Sequence, residues 1–326
     1  MPFPIDAALL DLPGSGRIGV LTGGSSRERA RSLLSGEAVH ASLTRQGFFA
    51  VLIDTAVPNF LDRLRGVDVA FLAIAGQYAE DGKLQGLLEH RRIPYTGSGV
   101  LASALAMHKT AAKRTVSAHG VNVLPGHDID DREPTELTAK SLADSLNLPI
   151  MIKPVSEGGS IDMHVGHTEH DLAGLIEELR TSGQALFAEQ YCPGRSVTLG
   201  VLADGDDLQA LPALETRPTG EFYDYPTKNN LAMFSNHCPA DLPASTTALI
   251  SEWAKDAHRA LGCSGYSRSD FIVTDHNEVF WLETNTLPGL STTGNMATMA
   301  KAAGLDYDAL ITHILSTALT NHGYRP

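Results

Sequence analysis

Two short apolar segments near the C-terminal end carry the residues with the most chemistry to offer. Asp270-Phe271-Ile272-Val273 and Phe280-Trp281-Leu282-Glu283-Thr284-Asn285 read as adjacent strands, with Asp270, Glu283 and Asn285 at their ends. A strand puts residues i and i+2 on one face, so Glu283 and Asn285 are expected to point the same way. Two carboxylates and an amide oxygen meeting at one spot are hard oxygen ligands that suit Mg²⁺, an ion usually shared with substrate phosphates. Arg268, two residues before Asp270, falls on the same face, where it would counter charge on a phosphoryl or carboxyl group. The alternative, a solvated strand edge, sits poorly with carboxylates beside such apolar neighbours.

A second cluster lies at Ile152-Lys153-Pro154-Val155-Ser156-Glu157-Gly158-Gly159-Ser160. It ends an apolar strand on a lysine, where an ammonium is costly unless an anion meets it. Lysine followed by a glycine-rich loop is a recurring way to hold ATP phosphates; a snorkelling lysine beside a loop is the plainer reading. Lys109, at the start of a helix, is a similar candidate. Gly23-Gly24-Ser25-Ser26-Arg27-Glu28 joins a strand to a helix and offers backbone N–H groups to an anion, or serves only as a tight turn. Glu28 in the first helical turn would complement the helix dipole or meet a ligand ammonium. Glu80-Asp81-Gly82 looks like a helix start, and Pro94-Tyr95-Thr96-Gly97-Ser98-Gly99 like a glycine-rich loop before another helix.

The elements that must carry these groups follow from periodicity. Strands at 17–21, 50–54 and 69–74, with a helix at about 28–46, alternate in a βαβ manner and predict an α/β fold with a mainly parallel sheet. A second set has strands near 149–154, 185–189 and 197–201 and a helix at about 169–181. The third has strands near 270–273 and 279–282 and helical sequence from about 296 to 319. Boundaries near 108 and 195 give units of 1–108, 109–194 and 195–326. The length of 326 residues is enough for two or three cores.

Composition narrows the function. With 25 Lys+Arg and 38 Asp+Glu the net charge is −13, which argues against a nucleic-acid surface. No apolar run approaches the roughly 20 residues that span a bilayer, and residues 1–16 do not read as a signal peptide. Three scattered cysteines, Cys192, Cys238 and Cys263, have no metal-ligand spacing and fit a reducing, cytoplasmic setting. His167 and His170 lack a carboxylate or thiol partner nearby in sequence, and no Gly-x-Ser-x-Gly elbow is present.

In order along the chain, Gly23–Glu28, Glu80-Asp81-Gly82-x-Leu84-Gln85-Gly86, Pro94–Gly99, Lys109, Ile152-Lys153-Pro154, Glu157–Ser160, Phe222-Tyr223-Asp224-Tyr225, Arg268-x-Asp270 and Glu283-x-Asn285-Thr286-x-Pro288-Gly289 follow one another. This ordered set resembles the D-alanine–D-alanine ligases of the ATP-grasp superfamily across nearly the whole chain. The resemblance implies a three-domain ATP-grasp architecture and an ATP-dependent ligation of two D-amino acids through an acyl phosphate, serving peptidoglycan precursor synthesis. It implies that Lys109 and Lys153 bind phosphates, that Glu157, Gly158, Gly159 and Ser160 form the loop beside them, and that Lys228 belongs to the same set. Glu189 falls in the segment that meets adenine. Asp270, Glu283 and Asn285 match ligands of two Mg²⁺ ions (Mn²⁺ being the alternative). Arg268 and the Gly289 N–H match groups that stabilise a tetrahedral intermediate, and Glu28 the acid that meets the first ammonium. Small amino acids and ATP are the implied partners, along with a homodimer.

The chain departs from the family pattern at five places: Ala75 for a histidine, Gly159 for a serine, Asn229 for a tyrosine, Gly294 for a serine and Ser196 for the carboxylate at the ATP ribose. Most of these touch amino-acid sites or the closing loop. They keep two other readings open: a paralogous amino-acid ligase with different substrates in specialised metabolism, and a nucleotide-binding homologue without ligase activity.

Overall fold

The computed structural model describes residues 16–158, 162–218 and 234–320. The N-terminal unit begins with β1 (Arg17–Thr22), a run of apolar residues buried along almost its whole length, as a strand covered on both faces must be. After α1 (Arg29–Arg45) come β2 (Phe49–Asp54), the single turn α2 (Phe60–Arg63) and β3 (Val69–Leu72). The three strands pair in parallel in the order β2-β1-β3, the βαβ arrangement that the alternating pattern predicts. At Gly36 a side chain would bring its Cβ within 2.3 Å of Thr22 Oγ1, so glycine lets α1 lie directly on β1. Helices α3 (Lys83–His90) and α4 (Val100–Met107) follow.

The chain then runs through α5 (Lys109–Ala118), β4 (Gly126–Asp128), α6 (Thr135–Leu146), β5 (Ile150–Pro154), β6 (His164–Gly166), α7 (Glu169–Arg180) and β7 (Leu186–Gln190). These strands form a separate antiparallel sheet in the order β4-β7-β5-β6. α7 opens on a capping box: Thr168 accepts from the Asp171 N–H while Asp171 accepts from the Thr168 N–H. Ile150, Ile152, Leu172 and Ile176 fill the core beneath it.

The third and largest sheet consists of β8 (Arg195–Asp204), β9 (Asp207–Ala210), β10 (Leu214–Pro218), β11 (Phe234–His237), and then, after α8 (Ala244–Ala260), β12 (Tyr266–Val273) and β13 (Val279–Asn285). Its order is β11-β10-β8-β12-β13, with β9 hairpinned onto β8. α8 packs Ile250, Ala254 and Ala257 against Phe271 and Trp281. The C-terminal helical sequence forms two helices, α9 (Asn295–Ala302) and α10 (Tyr307–Thr320). Gly304, at φ +82°, breaks it, and the Asp306 side chain accepts from the Ala309 N–H to start the second helix. α10 returns to the first unit, where Leu310, Ile311, Ile314 and Leu315 share a core with Ile18, Val20 and Phe71. Among the described residues no helix is long and apolar enough to cross a membrane.

Candidate active site

The pairing of β12 with β13 brings the acidic residues together, and an irregularity in that pairing aims them. Arg268 lies opposite Asn285 and Asp270 opposite Glu283, but Phe271 is paired with Trp281, so Leu282 is an extra residue in β13. Trp281 is fully buried. In an unbroken strand Glu283, two residues on, would follow it into the core. The bulge resets the alternation. Trp281 and Thr284 now share the core face, with the indole N–H donating to Thr284 Oγ1 at 3.1 Å, while Glu283 lines a cavity.

Arg268 grips Asp270 with two hydrogen bonds, Nε to Oδ1 at 2.9 Å and Nη2 to Oδ2 at 2.8 Å. Burial opposes the guanidinium charge, yet Asp270 outweighs it and the Arg268 pKa is raised. Thr198 on β8 donates to Asp270 Oδ1, and Asn285 Nδ2 donates to Oδ2 at 3.3 Å. Glu283 has Lys109 Nζ at 3.6 Å. Facing carboxylates with an adjacent amide make a hard-oxygen donor set that could hold a divalent cation. Only two of its members are of the His, Cys, Asp and Glu types, and among the described residues no group of three or more of those gathers.

Thr198, Arg268, Asp270 and Glu283 line a cavity of about 380 Å³ that also takes in Lys109, Lys153, Glu157, Glu189, Gln190, Tyr191 and Cys192. The backbone of α5 and β5 delivers the two lysines to its floor, and both are buried. Lys109 Nζ donates to the Glu157 carbonyl. Lys153 donates to Glu189 on β7, and Lys113 Nζ approaches the other oxygen of Glu189 at 2.8 Å. Burial would raise the Glu189 carboxyl; Lys113 and Lys153 together overcome this and hold it well below the usual carboxylate range. Burial lowers the pKa of Lys109 and of Lys113. The Glu189 side chain is thus engaged by lysines beneath the cavity. Ser196 lies on the cavity wall, with Glu215 held nearby between Arg195 and Arg217.

A second cavity, about 390 Å³, adjoins the first and is lined by Glu28, Ala75, Glu80, Gly289, Ser291 and Gly294 among others; Arg268 and Asn295 line both. Gly289 is exposed there, and its N–H makes no hydrogen bond among the described residues. Gly158 closes on Glu28, since a Cβ at that position would lie 2.8 Å from Glu28 Oε2. The loop that carries Gly158 is tied to the N-terminal unit: Gln77 Nε2 donates to Glu157 Oε1 at 3.0 Å and Arg27 Nη1 to Asp162 Oδ2 at 2.8 Å. Glu80 is turned inward instead of capping α3, its place as a helix-start residue being taken by Asp81, which accepts from the Tyr78 and Lys83 N–H groups.

The structure therefore gathers Lys109, Lys153, Glu157, Glu189, Arg268, Asp270 and Glu283 on one cavity, and Glu28, Asn285 and Gly289 on the other. Gly159, Ser160, Lys228 and the Tyr223–Asn230 loop lie outside the described residues. Lys113 and Glu80 were not singled out by sequence reasoning as functional groups. Lys113 had a signal, lying one helical turn after Lys109; the inward turn of Glu80 had none.

The C-terminal part of the chain, residues 116–316, matches the family model described as the D-ala D-ala ligase C-terminus, and residues 54–98 match the D-ala D-ala ligase N-terminus. The chain belongs to the D-alanine–D-alanine ligase family. A D-alanine–D-alanine ligase of Geotalea uraniireducens is 41% identical, over 93% of this chain and 95% of the relative. One from Bordetella avium is 38% identical over 93% and 95%. Among solved ligase structures, that of Bacillus anthracis complexed with ATP superposes with a TM-score of 0.79 at 29% identity, covering 94% of this chain and 97% of the other. The VanG D-Ala:D-Ser ligase of Enterococcus faecalis gives 0.80 at 27%, covering 93% and 99%. The fold is accordingly the α/β ATP-grasp fold of these ligases.

Proposed function

We propose that the protein is an ATP-dependent carboxylate–amine ligase that joins two D-alanines for peptidoglycan precursor synthesis. The observation that carries this reading is the pair of adjoining cavities, one floored by lysines and the other holding Glu28, with Arg268 common to both. ATP belongs in the first, its phosphates on Lys109 and Lys153 with the Glu157–Ser160 loop and Lys228 beside them, its adenine against the Glu189–Cys192 segment. Asp270, Glu283 and Asn285 would hold Mg²⁺ (two ions, or Mn²⁺), which would offset phosphate charge and align the reacting groups.

The first amino acid sits in the second cavity with its ammonium on Glu28. Its carboxylate attacks the γ-phosphorus; the lysines offset the crowded negative charge as ADP departs, leaving an acyl phosphate. The amine of the second amino acid then attacks the acyl carbon. Arg268 and the uncommitted Gly289 N–H stabilise the oxyanion that forms. The links from Arg27 and Gln77 to the Gly158 loop keep that loop over the acyl phosphate and water out of it. We place domain boundaries near 108 and 195, and infer a cytoplasmic homodimer.

Incubating the protein with ATP, Mg²⁺ and D-alanine should release ADP and phosphate and yield the dipeptide by mass spectrometry. Absence of turnover with any D-amino acid would refute the proposal. Gly294 and Asn295 on the wall of the amino-acid cavity favour a second reading, a different second substrate; a panel of amines and amino acids decides it by which one outcompetes D-alanine.

A further inference from the structure

The steps above leave one buried acid without a part. Glu80 lines the amino-acid cavity together with Glu28, Arg268, Asn285 and Gly289. Its Oε2 accepts from the Gly76 N–H at 2.7 Å and its Oε1 from the Leu287 N–H at 3.3 Å. Those two backbone donors are its hydrogen-bond partners, and among the described residues it forms no salt bridge. A carboxylate has about four lone-pair sites, so two remain for a proton. The titratable and charged groups facing it are Glu28, from the turn before α1, and Arg268 and Tyr266, both on β12. Burial and then Glu28 push the Glu80 carboxyl up to about 8, against the pull of the two amide donors and Arg268. A proton acceptor works best with a pKa near the operating pH, between that of an ordinary carboxylate and that of an ammonium.

The geometry points to Glu80 as the acceptor of the proton that the second substrate's ammonium must lose before it attacks, an inference that rests on the ligase reading. One ammonium proton moves to a Glu80 oxygen, which frees the nitrogen lone pair. That pair forms the N–C bond, the C–O bond to phosphate breaks with its electrons leaving on phosphate, and the departing phosphate takes the remaining surplus proton. Glu28 is less suited to this part, because it faces the first ammonium. Glu80 also fixes Leu287, two residues before Gly289, so the acceptor and the oxyanion donor are held by one contact.

The test compares Glu80→Gln with wild type, using two nucleophiles in place of the second substrate: D-alanine, which arrives as an ammonium, and hydroxylamine, which is neutral at pH 7 and traps the acyl phosphate as a hydroxamate. The loss in kcat/KM with D-alanine should exceed the loss with hydroxylamine by about 10²-fold, the usual contribution of a general base. The rise in the wild-type D-alanine rate towards pH 8 should vanish in the variant. Equal losses with both nucleophiles would overturn the inference and leave Glu80 as a clip for the Leu287 loop. Should Glu80→Gln lose the wild-type circular dichroism spectrum, Glu80→Asp carries the same comparison with the same two outcomes. Wild type that forms neither dipeptide nor hydroxamate would overturn the ligase reading, and the role of Glu80 with it.

Discussion

Removing Lys113 probes the charge arrangement beneath the lysine-floored cavity without touching its lining. Lys113, Glu189 and Lys153 are all buried, and Glu189 is shared between the two ammonium groups. Lys113→Met keeps most of the side-chain volume but leaves Glu189 with one cation. Breaking a buried pair from one side costs about 3–5 kcal/mol. Since Lys153 remains, the lower end applies, about 3 kcal/mol. Glu189→Gln leaves two buried ammonium groups with no counter-charge, and about 5 kcal/mol is expected. Simple addition would make the double variant about 8 kcal/mol less stable. It should instead cost about 5, because only Lys153 is then uncompensated and it borders the open cavity; the coupling is thus about 3 kcal/mol. Urea unfolding followed by tryptophan fluorescence is a suitable assay, because Trp281 lies under Lys113, with Nζ 5.9 Å from the ring. Costs that add to within about 0.5 kcal/mol would refute the shared-carboxylate account.

Other consequences are direct. Glu283→Gln removes a carboxylate facing Asp270 and should lower ATP turnover by about 10²-fold or more, while fluorescent-nucleotide titration shows a smaller change in affinity. Gly158→Ala would drive a methyl group to within 2.8 Å of Glu28 Oε2; the KM for the first amino acid should rise about tenfold, as steady-state kinetics would show. The depressed pKa of Glu189 makes its contribution to stability present above its unfolded value and lost as pH falls through the folded one. Urea midpoints should therefore drop between about pH 4.5 and about 2, and less steeply in Glu189→Gln.

Periodicity was enough for the βαβ start, since β1 and β3 are continuous apolar runs with little else to become. It was enough also for the meeting of Asp270 with Glu283, because two short strands ending in acids pair in few ways. It failed at Leu282. One extra residue in a ladder changes no residue type, yet it decides whether Glu283 follows Trp281 into the core or lines the cavity. The C-terminal helical sequence hides its break for the opposite reason: the apolar period runs on past Gly304, and a left-handed backbone there splits it. Glu80 shows a third limit. Glu-Asp-Gly ahead of an apolar run is an ordinary helix-start signal, and Asp81 does act as one. Glu80 turns inward onto the N–H of Gly76, four residues back, and onto that of Leu287, 207 residues away, and no local pattern carries the second contact.

The net charge of −13 looks unfavourable for a site that must attract a polyanion, and the arrangement of buried charge resolves this. Lys109, Lys113, Lys153 and Arg268 are drawn into the cavity region, and each is matched there by an acid: Glu283, Glu189, Glu189 again and Asp270. Unpaired, four buried cations would cost more than the fold could bear. Pairing offsets that cost, and on the proposed reading Lys153 would leave Glu189 to Lys113 when phosphates arrive. Lys109 and Arg268 would in the same way give up Glu283 and Asp270, the carboxylates that the proposal assigns to a divalent cation. Four cations on three acids leave one positive charge over in that set, so a locally cationic pocket stands in an acidic chain, and on the proposed reading arriving phosphate would supply the missing counter-charge.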